Sequence, residues 1–174
     1  MNLSTSDLCD RHAAMLASGE LRVLPGDWTW YGAVRRCHGQ LVTLAAHGCN
    51  GEIRALLASA GEGRVLLIDA GLNPLALLGD NLAALALRNG WAAVVINGNL
   101  RDSQALAQTE LGILATGCWP VRSNNESGGI LEEALSVRGV AVLPGDWLYA
   151  DSDGVLISPV ALPGFGECPK SLAR

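Results

Sequence analysis

Residues 79–102 read GDNLAALALRNGWAAVVINGNLRD, and this stretch carries the strongest structural signal in the chain. Its first half places apolar side chains at helical spacing, which predicts a helix over residues 80–89 that ends at Gly90. Residues 92–96 are continuously apolar, as expected of a strand buried on both faces of a parallel sheet. The stretch therefore predicts a helix followed by a buried strand.

A second buried strand is predicted just upstream, at residues 65–68, which are also continuously apolar. With the helix between them, the two strands make a right-handed βαβ unit over residues 65–96. Polar loops then follow at the carboxyl ends of parallel strands, where open α/β sheets bind their ligands. We expect the functional site at this edge.

The two loops carry complementary chemical groups. Gly79 and Asp80 open a helix, whose free N–H groups and dipole suit an anionic ligand. Arg101 adds a permanent cation with planar donors, and Asp102 adds a hard oxygen ligand for a divalent cation. Together they predict a site for a small metal-bound carboxylate.

The rest of the chain continues an α/β pattern at first and then changes. A capped helix is predicted from Ser4 or Thr5 to about Ser18, and another over residues 50–60. The second half instead predicts antiparallel strands joined by turns, at residues 140–143, 146–150 and 154–158. Residues 69–79 are predicted to form a loop.

Composition limits the protein class. With 174 residues, 49% of them apolar and 17% charged, the chain suits one globular domain. A net charge of −5 argues against a broad nucleic-acid surface, and no apolar stretch approaches the roughly 20 residues needed to span a membrane. The five cysteines are odd in number and form no C-x-x-C, which predicts reduced thiols and a cytoplasmic location.

Lysine is almost absent: Lys170, close to the C-terminus, is the only one. Schiff-base catalysis requires a deprotonated lysine amine, and a residue in this polar C-terminal stretch is a poor candidate. Any carbanion chemistry would therefore depend on a metal or on an oxyanion site.

Several spaced motifs occur together in one order. They are Thr5-Ser6-Asp7-Leu8-Cys9-Asp10, Gly63-Arg64-Val65-Leu66, Gly79-Asp80-Asn81-Leu82-Ala83, Asn89-Gly90-Trp91, Gly98-x-x-Arg101-Asp102, Pro144-Gly145-Asp146 and Ala150-Asp151-x-Asp153-Gly154. In this order they resemble the RraA-like family, which contains class II 4-hydroxy-4-methyl-2-oxoglutarate (HMG) aldolases and regulators of ribonuclease E activity.

This resemblance implies an α/β fold of the swivelling-domain type, with β/β/α layers, a parallel βαβ unit carrying the site and antiparallel strands in the second half. A single domain is expected over residues 1–158, with residues 159–174 as a C-terminal tail or subunit arm. It also implies homotrimers or hexamers with sites near subunit boundaries.

The resemblance further implies roles for individual residues. The turn of Gly79, Asp80, Asn81 and Leu82 would hold the carboxylate of pyruvate, and Arg101 would contact the pyruvate unit. Asp102 would hold a divalent cation, Mg²⁺ or Mn²⁺ by ligand hardness. Asp80 would position a water for proton transfer, which makes Asp80 and Arg101 the candidate catalytic residues.

The function implied is metal-dependent retro-aldol cleavage of HMG, or of a similar 4-hydroxy-2-oxo acid, to pyruvate. Oxaloacetate decarboxylation would be a secondary activity, because both reactions pass through the pyruvate enolate. The alternative is a non-catalytic oligomeric regulator that binds a ribonuclease or another protein. Asp102 together with Asp80 separates the two hypotheses, because a pure binding protein has no need of them and the resemblance implies that some regulators lack an acid at the position of Asp102.

Other residues permit two interpretations each. Arg122 would either contact a distal carboxylate of the substrate or serve as a surface or interface charge. The Cys37-His38 pair and the His47/Cys49 pair lack compact zinc-ligand spacing, so packing is favoured over metal binding. Asp151 and Asp153 are expected first as turn residues.

Overall fold

The computed structural model describes residues 3–46, 48–124, 126 and 128–166. This part of the chain forms five helices, α1 Thr5–Arg11, α2 Ala13–Ser18, α3 Gly51–Ala58, α4 Asp80–Arg88 and α5 Ser103–Leu106. Its twelve strands are β1 Arg22–Val23, β2 Thr29–Trp30, β3 Cys37–Ala45, β4 Val65–Asp69, β5 Ala76–Leu78, β6 Ala93–Leu100, β7 Gly112–Cys118, β8 Ile130–Leu131, β9 Leu135–Val137, β10 Val140–Val142, β11 Trp147–Ala150 and β12 Val155–Ser158.

The central sheet contains the predicted parallel strands. Its order is β1-β12-β11-β3-β4-β6-β7-β2, in which β3, β4, β6 and β7 are parallel to one another, whereas β11 and β2 flank them antiparallel. Residues 65–68 of β4 are fully buried, as their continuous apolar sequence predicted. The βαβ unit built from β4, α4 and β6 is thereby confirmed.

Alternate residues of β4 supply the two faces of the sheet, because side chains in a strand point to opposite sides in turn. Leu66 and Ile68 belong to a core shared with α3 and α4. Val65 and Leu67 belong to a second core formed with β9, β10, β11 and β12. The molecule therefore has helices on one face and strands on the other, which confirms the predicted β/β/α arrangement.

The antiparallel half is present, but its pairing differs from a simple series of hairpins. β11 pairs with β12 and with β3, whereas β10 pairs with β9 in a separate two-stranded sheet. The strands predicted on either side of Pro144-Gly145 are thus not partners of each other. Strand β9 was not predicted, because its turn to β10 uses Arg138 at φ 51° and Gly139 at φ 84°, not an Asn-Gly pair.

The first predicted helix is present as two shorter ones. Ser4 and Asp7 form a capping box at the start of α1, and Gly19 ends α2 in the left-handed conformation. His12 separates them with φ −111° and ψ 34°. Helical spacing continues across the break, so the sequence pattern does not reveal it.

Part of the predicted tail packs on the domain. Leu162 and Phe165 are buried in a third core with Leu3, Leu8 and Tyr149. Residues 167–174, which include Cys168 and Lys170, lie outside the described residues. The role of residues 159–174 as a tail or a subunit arm stays a prediction.

Among the described residues, no helix has both the length and the apolar character required to cross a membrane.

Candidate functional site

A short strand that the sequence did not predict brings the two loops together. β5 lies within the predicted loop at residues 69–79 and runs parallel to β6, pairing Leu78 with Leu100. The N–H of Arg101 donates to the carbonyl of Leu78 over 2.9 Å. Gly79 and Arg101 therefore leave adjacent strands side by side, at the carboxyl edge of the sheet.

Gly79 and Asp102 are in close contact. A Cβ atom added at Gly79 would lie 2.5 Å from Oδ2 of Asp102, which is closer than real Cβ atoms approach other atoms. The backbone of Gly79 is extended, with φ −141°, so any residue could adopt its conformation. A side chain at this position would therefore have to displace the Asp102 carboxylate.

Helix α4 begins at the cavity. Gly79 is its N-cap and supplies no side-chain cap, so the first N–H groups depend on other partners. The Asp80 N–H approaches Asp102 Oδ2 at 3.5 Å, and the Asn81 N–H donates to Asp80 Oδ1 at 2.7 Å. The Asp102 and Asp80 carboxylates thus lie at the start of α4, where the positive end of the helix dipole favours negative charge.

Arg101 and Asp102 form a loose ion pair over Gly79. Arg101 Nε lies 3.4 Å from Asp102 Oδ2, and each side chain is 35% exposed. Asp102 has φ 60° and ψ 34°, a left-handed conformation that Asp and Asn adopt more readily than other non-glycine residues. The turn directs the carboxylate back over the start of α4.

These residues line one cavity of about 90 Å³ that opens to solvent. The structure brings all six predicted site residues to it: Gly79, Asp80, Asn81, Leu82, Arg101 and Asp102. Three guanidinium groups and two carboxylates line the cavity, so its lining carries a formal charge of +1 in a chain of −5. The charge and the size suit a small organic anion.

Three further polar residues line the cavity: Asn50, Arg54 and Arg122. For Arg122 the sequence allowed two interpretations, a contact with the substrate or a surface or interface charge. The structure places Arg122 on the cavity wall. Asn50 and Arg54 were not predicted as site residues. A signal was available, since α3 follows β3 and therefore begins at the same carboxyl edge of the sheet as the other loops.

Asp151, Asp153 and Cys37 have structural roles. Asp151 accepts hydrogen bonds from the N–H and hydroxyl of Thr5, and Asp153 accepts one from Ser6. Cys37 is fully buried in the core, and His47 lies outside the described residues. The described residues contain no group of three or more His, Cys, Asp or Glu side chains arranged to hold a metal.

A divalent cation at Asp102 is nevertheless compatible with this geometry. The ion pair with Arg101 and the contacts with Gly79 and Asp80 all fall on Oδ2, and Oδ1 forms no hydrogen bond or ion pair with the residues that the structure describes. Mg²⁺ is often held by one or two carboxylates, with water and substrate oxygens as its other ligands. One carboxylate in a solvent-open cavity fits that coordination.

Sequence comparison places this fold and cavity in a known group. The model of the family described as "RraA-like: Aldolase/RraA" matches residues 5–157. The chain belongs to the RraA-like family. The resemblance inferred from the spaced motifs is confirmed.

Curated relatives of this RraA-like chain carry an aldolase name. A protein from Burkholderia mallei (strain SAVP1) is 45% identical over 163 residues, covering 93% of this chain and 99% of the relative. It is named "Putative 4-hydroxy-4-methyl-2-oxoglutarate aldolase". A protein of the same name from Burkholderia pseudomallei (strain K96243) matches to the same extent.

Solved structures with other names share the fold. The RNA-processing inhibitor RraA from Thermus thermophilis superposes with a TM-score of 0.86 at 37% identity, covering 96% of this RraA-like chain and 99% of the other. A Geobacillus kaustophilus protein named S-adenosylmethionine:2-dimethylmenaquinone methyltransferase gives 0.85 at 35% identity, with coverages of 92% and 97%. One fold thus carries three functional names, so function must be argued from the site.

Proposed function

We propose that this protein cleaves HMG, or a similar 4-hydroxy-2-oxo acid, by a retro-aldol reaction that depends on a divalent cation. The observation that carries the proposal is the convergence of Asp102, Arg101 and the start of α4 on one small cavity. The aldolase name of relatives at 45% identity supports it. A cavity of about 90 Å³ also suits a small acid better than a nucleoside-bearing cofactor.

Substrate binding would use the start of α4 and Arg101. The start of α4 lines the cavity, and the positive end of its dipole would favour the carboxylate next to the 2-oxo group. The Arg101 guanidinium would donate to the 2-oxo oxygen, on which negative charge develops as the bond between C3 and C4 breaks. Donors fixed in advance at such an oxygen stabilise the transition state by several kcal/mol.

Asp102 would hold the cation, either Mg²⁺ or Mn²⁺. The cation would supply Lewis-acid polarisation of the 2-oxo group. The Asp102 carboxylate also lies 3.4 Å from Arg101 Nε and so orients the Arg101 guanidinium.

Proton transfer is assigned to Asp80 acting through a water. Its Oδ1 accepts from the Asn81 backbone at 2.7 Å and from the Asn81 side chain at 3.1 Å, which holds the carboxylate in place. Oδ2 would accept a hydrogen bond from water, and this water would take the proton of the 4-hydroxyl group. The same water would return a proton to C3 of the enolate, giving pyruvate. Oxaloacetate would form the same enolate on loss of carbon dioxide.

The decisive experiment measures pyruvate release from HMG and from oxaloacetate, with Mg²⁺ and with EDTA. Asp102→Asn is the preferred variant, because Asn tolerates the left-handed backbone at this position while losing the charge. We expect native turnover to require the cation and Asp102→Asn to lose at least about a hundredfold, as loss of a metal ligand implies. Asp27→Asn, an exposed carboxylate away from the cavity, serves as the control.

Binding of Mn²⁺, followed by its electron paramagnetic resonance signal, provides a readout independent of turnover. Asp102→Asn should weaken that binding and Asp27→Asn should not. Equal turnover with Mg²⁺ and with EDTA would contradict the metal-dependent mechanism.

The second candidate function is that of a non-catalytic regulator of RNA processing. The similarity to the inhibitor RraA from Thermus thermophilis favours it. A surface-binding regulator has no need for Asp80 and Asp102 to face one cavity. Negligible pyruvate release by the native protein under every condition would favour the regulator over the aldolase.

A further inference from the structure

The cavity is lined by more residues than the proposed chemistry uses. Asn50, Arg54 and Arg122, which together we call the far wall, also line it. Asn50 and Arg54 are four residues apart at the start of α3, so they lie on one face of that helix. This wall therefore offers one amide and two guanidinium groups to any ligand that reaches beyond Arg101.

Asn50 marks this wall as a ligand surface. Its side chain is only 8% exposed and lines the cavity, yet its Oδ1 has no hydrogen-bond partner. Although Asn50 is the N-cap residue of α3, its side chain makes no capping hydrogen bond. Buried polar atoms normally have partners, so this oxygen is suited to an O–H or N–H donor of a bound molecule.

The wall is fixed to the rest of the site by residues 121–124. The Ser123 N–H donates to the carbonyl of Ala76 in β5 over 2.9 Å. The Asn50 N–H donates to the carbonyl of Asn124 over 3.2 Å. Arg122 is thereby held between the strand that leads to Gly79 and the helix that carries Arg54.

The charges of this wall are not neutralised by the protein. Arg101 pairs with Asp102, but neither Arg54 nor Arg122 forms an ion pair with any of the residues that the structure describes. Both side chains belong to exposed residues and are free to reach a ligand. Two guanidinium groups facing one cavity favour a carboxylate, which they bind through parallel N–H donors.

We propose that Arg54 and Arg122 form a second carboxylate subsite, with Asn50 beside it, that selects dicarboxylic over monocarboxylic 2-oxo acids. This inference rests on the proposed function, which assigns the first carboxylate to the start of α4. HMG carries a hydroxyl group and a carboxylate on C4, and these groups match an unpartnered amide oxygen next to two guanidinium groups. Arg54 and Arg122 are specificity-determining residues in this assignment.

The test compares binding of 2-oxoglutarate and 2-oxopentanoate by calorimetry in the presence of Mg²⁺. The two acids have five carbons each and differ in the distal carboxylate, and neither has the 4-hydroxyl group that cleavage requires. We expect the native protein to bind 2-oxoglutarate about tenfold more tightly, the effect of a charge-assisted hydrogen bond. The preference should decrease at high salt, because the wall is open to solvent.

Arg54→Ala and Arg122→Ala should each reduce this preference, and the double variant should abolish it, with 2-oxopentanoate binding unchanged. Arg88→Ala is the matched control, because this exposed arginine lies at the other end of α4, about 12 Å along the helix axis from Asp80. Equal native affinity for the two acids, or a preference that survives in the double variant, would overturn the subsite and leave the aldolase proposal intact. Binding of neither acid would overturn the subsite, and if pyruvate release from HMG were absent as well, the aldolase proposal would be overturned with it.

Discussion

The constraint on Gly79 comes from its neighbour and not from its own backbone conformation. Its φ of −141° is open to any residue, but an added Cβ would lie 2.5 Å from Asp102 Oδ2. The nearest Arg101 atoms would be 3.5 Å from that Cβ, in ordinary contact. A side chain at position 79 would therefore displace the Asp102 carboxylate, the proposed cation ligand, before it disturbed Arg101.

We predict that Gly79→Ala displaces Asp102 and weakens Mn²⁺ binding on the order of tenfold, with a matching loss of pyruvate release. Its free energy of unfolding should change by less than about 1 kcal/mol, because the backbone is not strained. Calorimetric Mn²⁺ titration and urea unfolding measure the two effects. Gly154→Ala is the control, since Gly154 has neither a close neighbour nor a left-handed φ. A stable Gly79→Ala protein with native Mn²⁺ affinity would contradict the assignment of Asp102.

At the scale of elements, β11 joins the central sheet to the segment that follows β12. Tyr149 of β11 is 1% exposed, and its hydroxyl accepts the Leu162 N–H over 2.5 Å. Its ring lies edge-on to Phe165, with ring centroids 5.3 Å apart. Burial raises the pKa of the Tyr149 phenol above its ordinary value of 10.0. The neutral phenol is therefore the form that the folded state favours.

The sign of the pH effect follows from that raised pKa. The contribution of the buried neutral Tyr149 phenol to the free energy of unfolding is complete below pH 10, near the unfolded-state pKa. It is lost as the pH rises from there through the folded-state pKa. We predict that Tyr149→Phe costs about 1–3 kcal/mol at pH 8, because the Leu162 N–H loses its partner. Above pH 10 the difference between the two proteins should shrink. Urea unfolding of both proteins at pH 8 and above pH 10 measures it, and a difference that grows with pH would contradict this account.

The elements differ in how far the sequence predicted them. β4, α4 and β6 were predictable because burial on both faces of a sheet and one face of a helix leaves a clear apolar pattern. β5 was missed because three residues, Ala76–Leu78, are too few to show a period. The proximity of Gly79 to Asp102 follows from the pairing of β5 with β6, so the sequence predicted the site residues without the strand that joins them.

The far wall of the cavity was hidden for a different reason. Asn50 and Arg54 lie on a separate βα unit, and Arg122 lies in a segment without regular structure, so no local pattern links them. Only the pairing of residues 121–124 with β5 and with the start of α3 brings them together. Contacts between distant segments set this part of the site.

At the scale of the whole molecule, large apolar side chains remain exposed in the segment that carries Arg122. Trp119 is 45% exposed and Val121 is 54% exposed, and both belong to the segment that holds Arg122. Exposed apolar residues that cluster beside a site are typical of an interface. They support the expectation that copies of this chain associate near the site, as trimers or hexamers.

We predict that the native protein has three or six times the mass of its 18.1 kDa chain and that Val121→Asp lowers this mass. An aspartate at an apolar interface would be buried without a partner, which weakens association strongly. In the separated chain the same side chain stays in solvent, so the free energy of unfolding of the monomer should change by less than about 0.5 kcal/mol.

Val160→Asp is the matched control, since Val160 is 53% exposed and lies beyond β12. Light scattering after size-exclusion chromatography measures the mass of each protein. A native mass of one chain would contradict the predicted association. Dissociation by Val160→Asp but not by Val121→Asp would place the subunit contact away from the cavity, and the site would then have to act within a single chain.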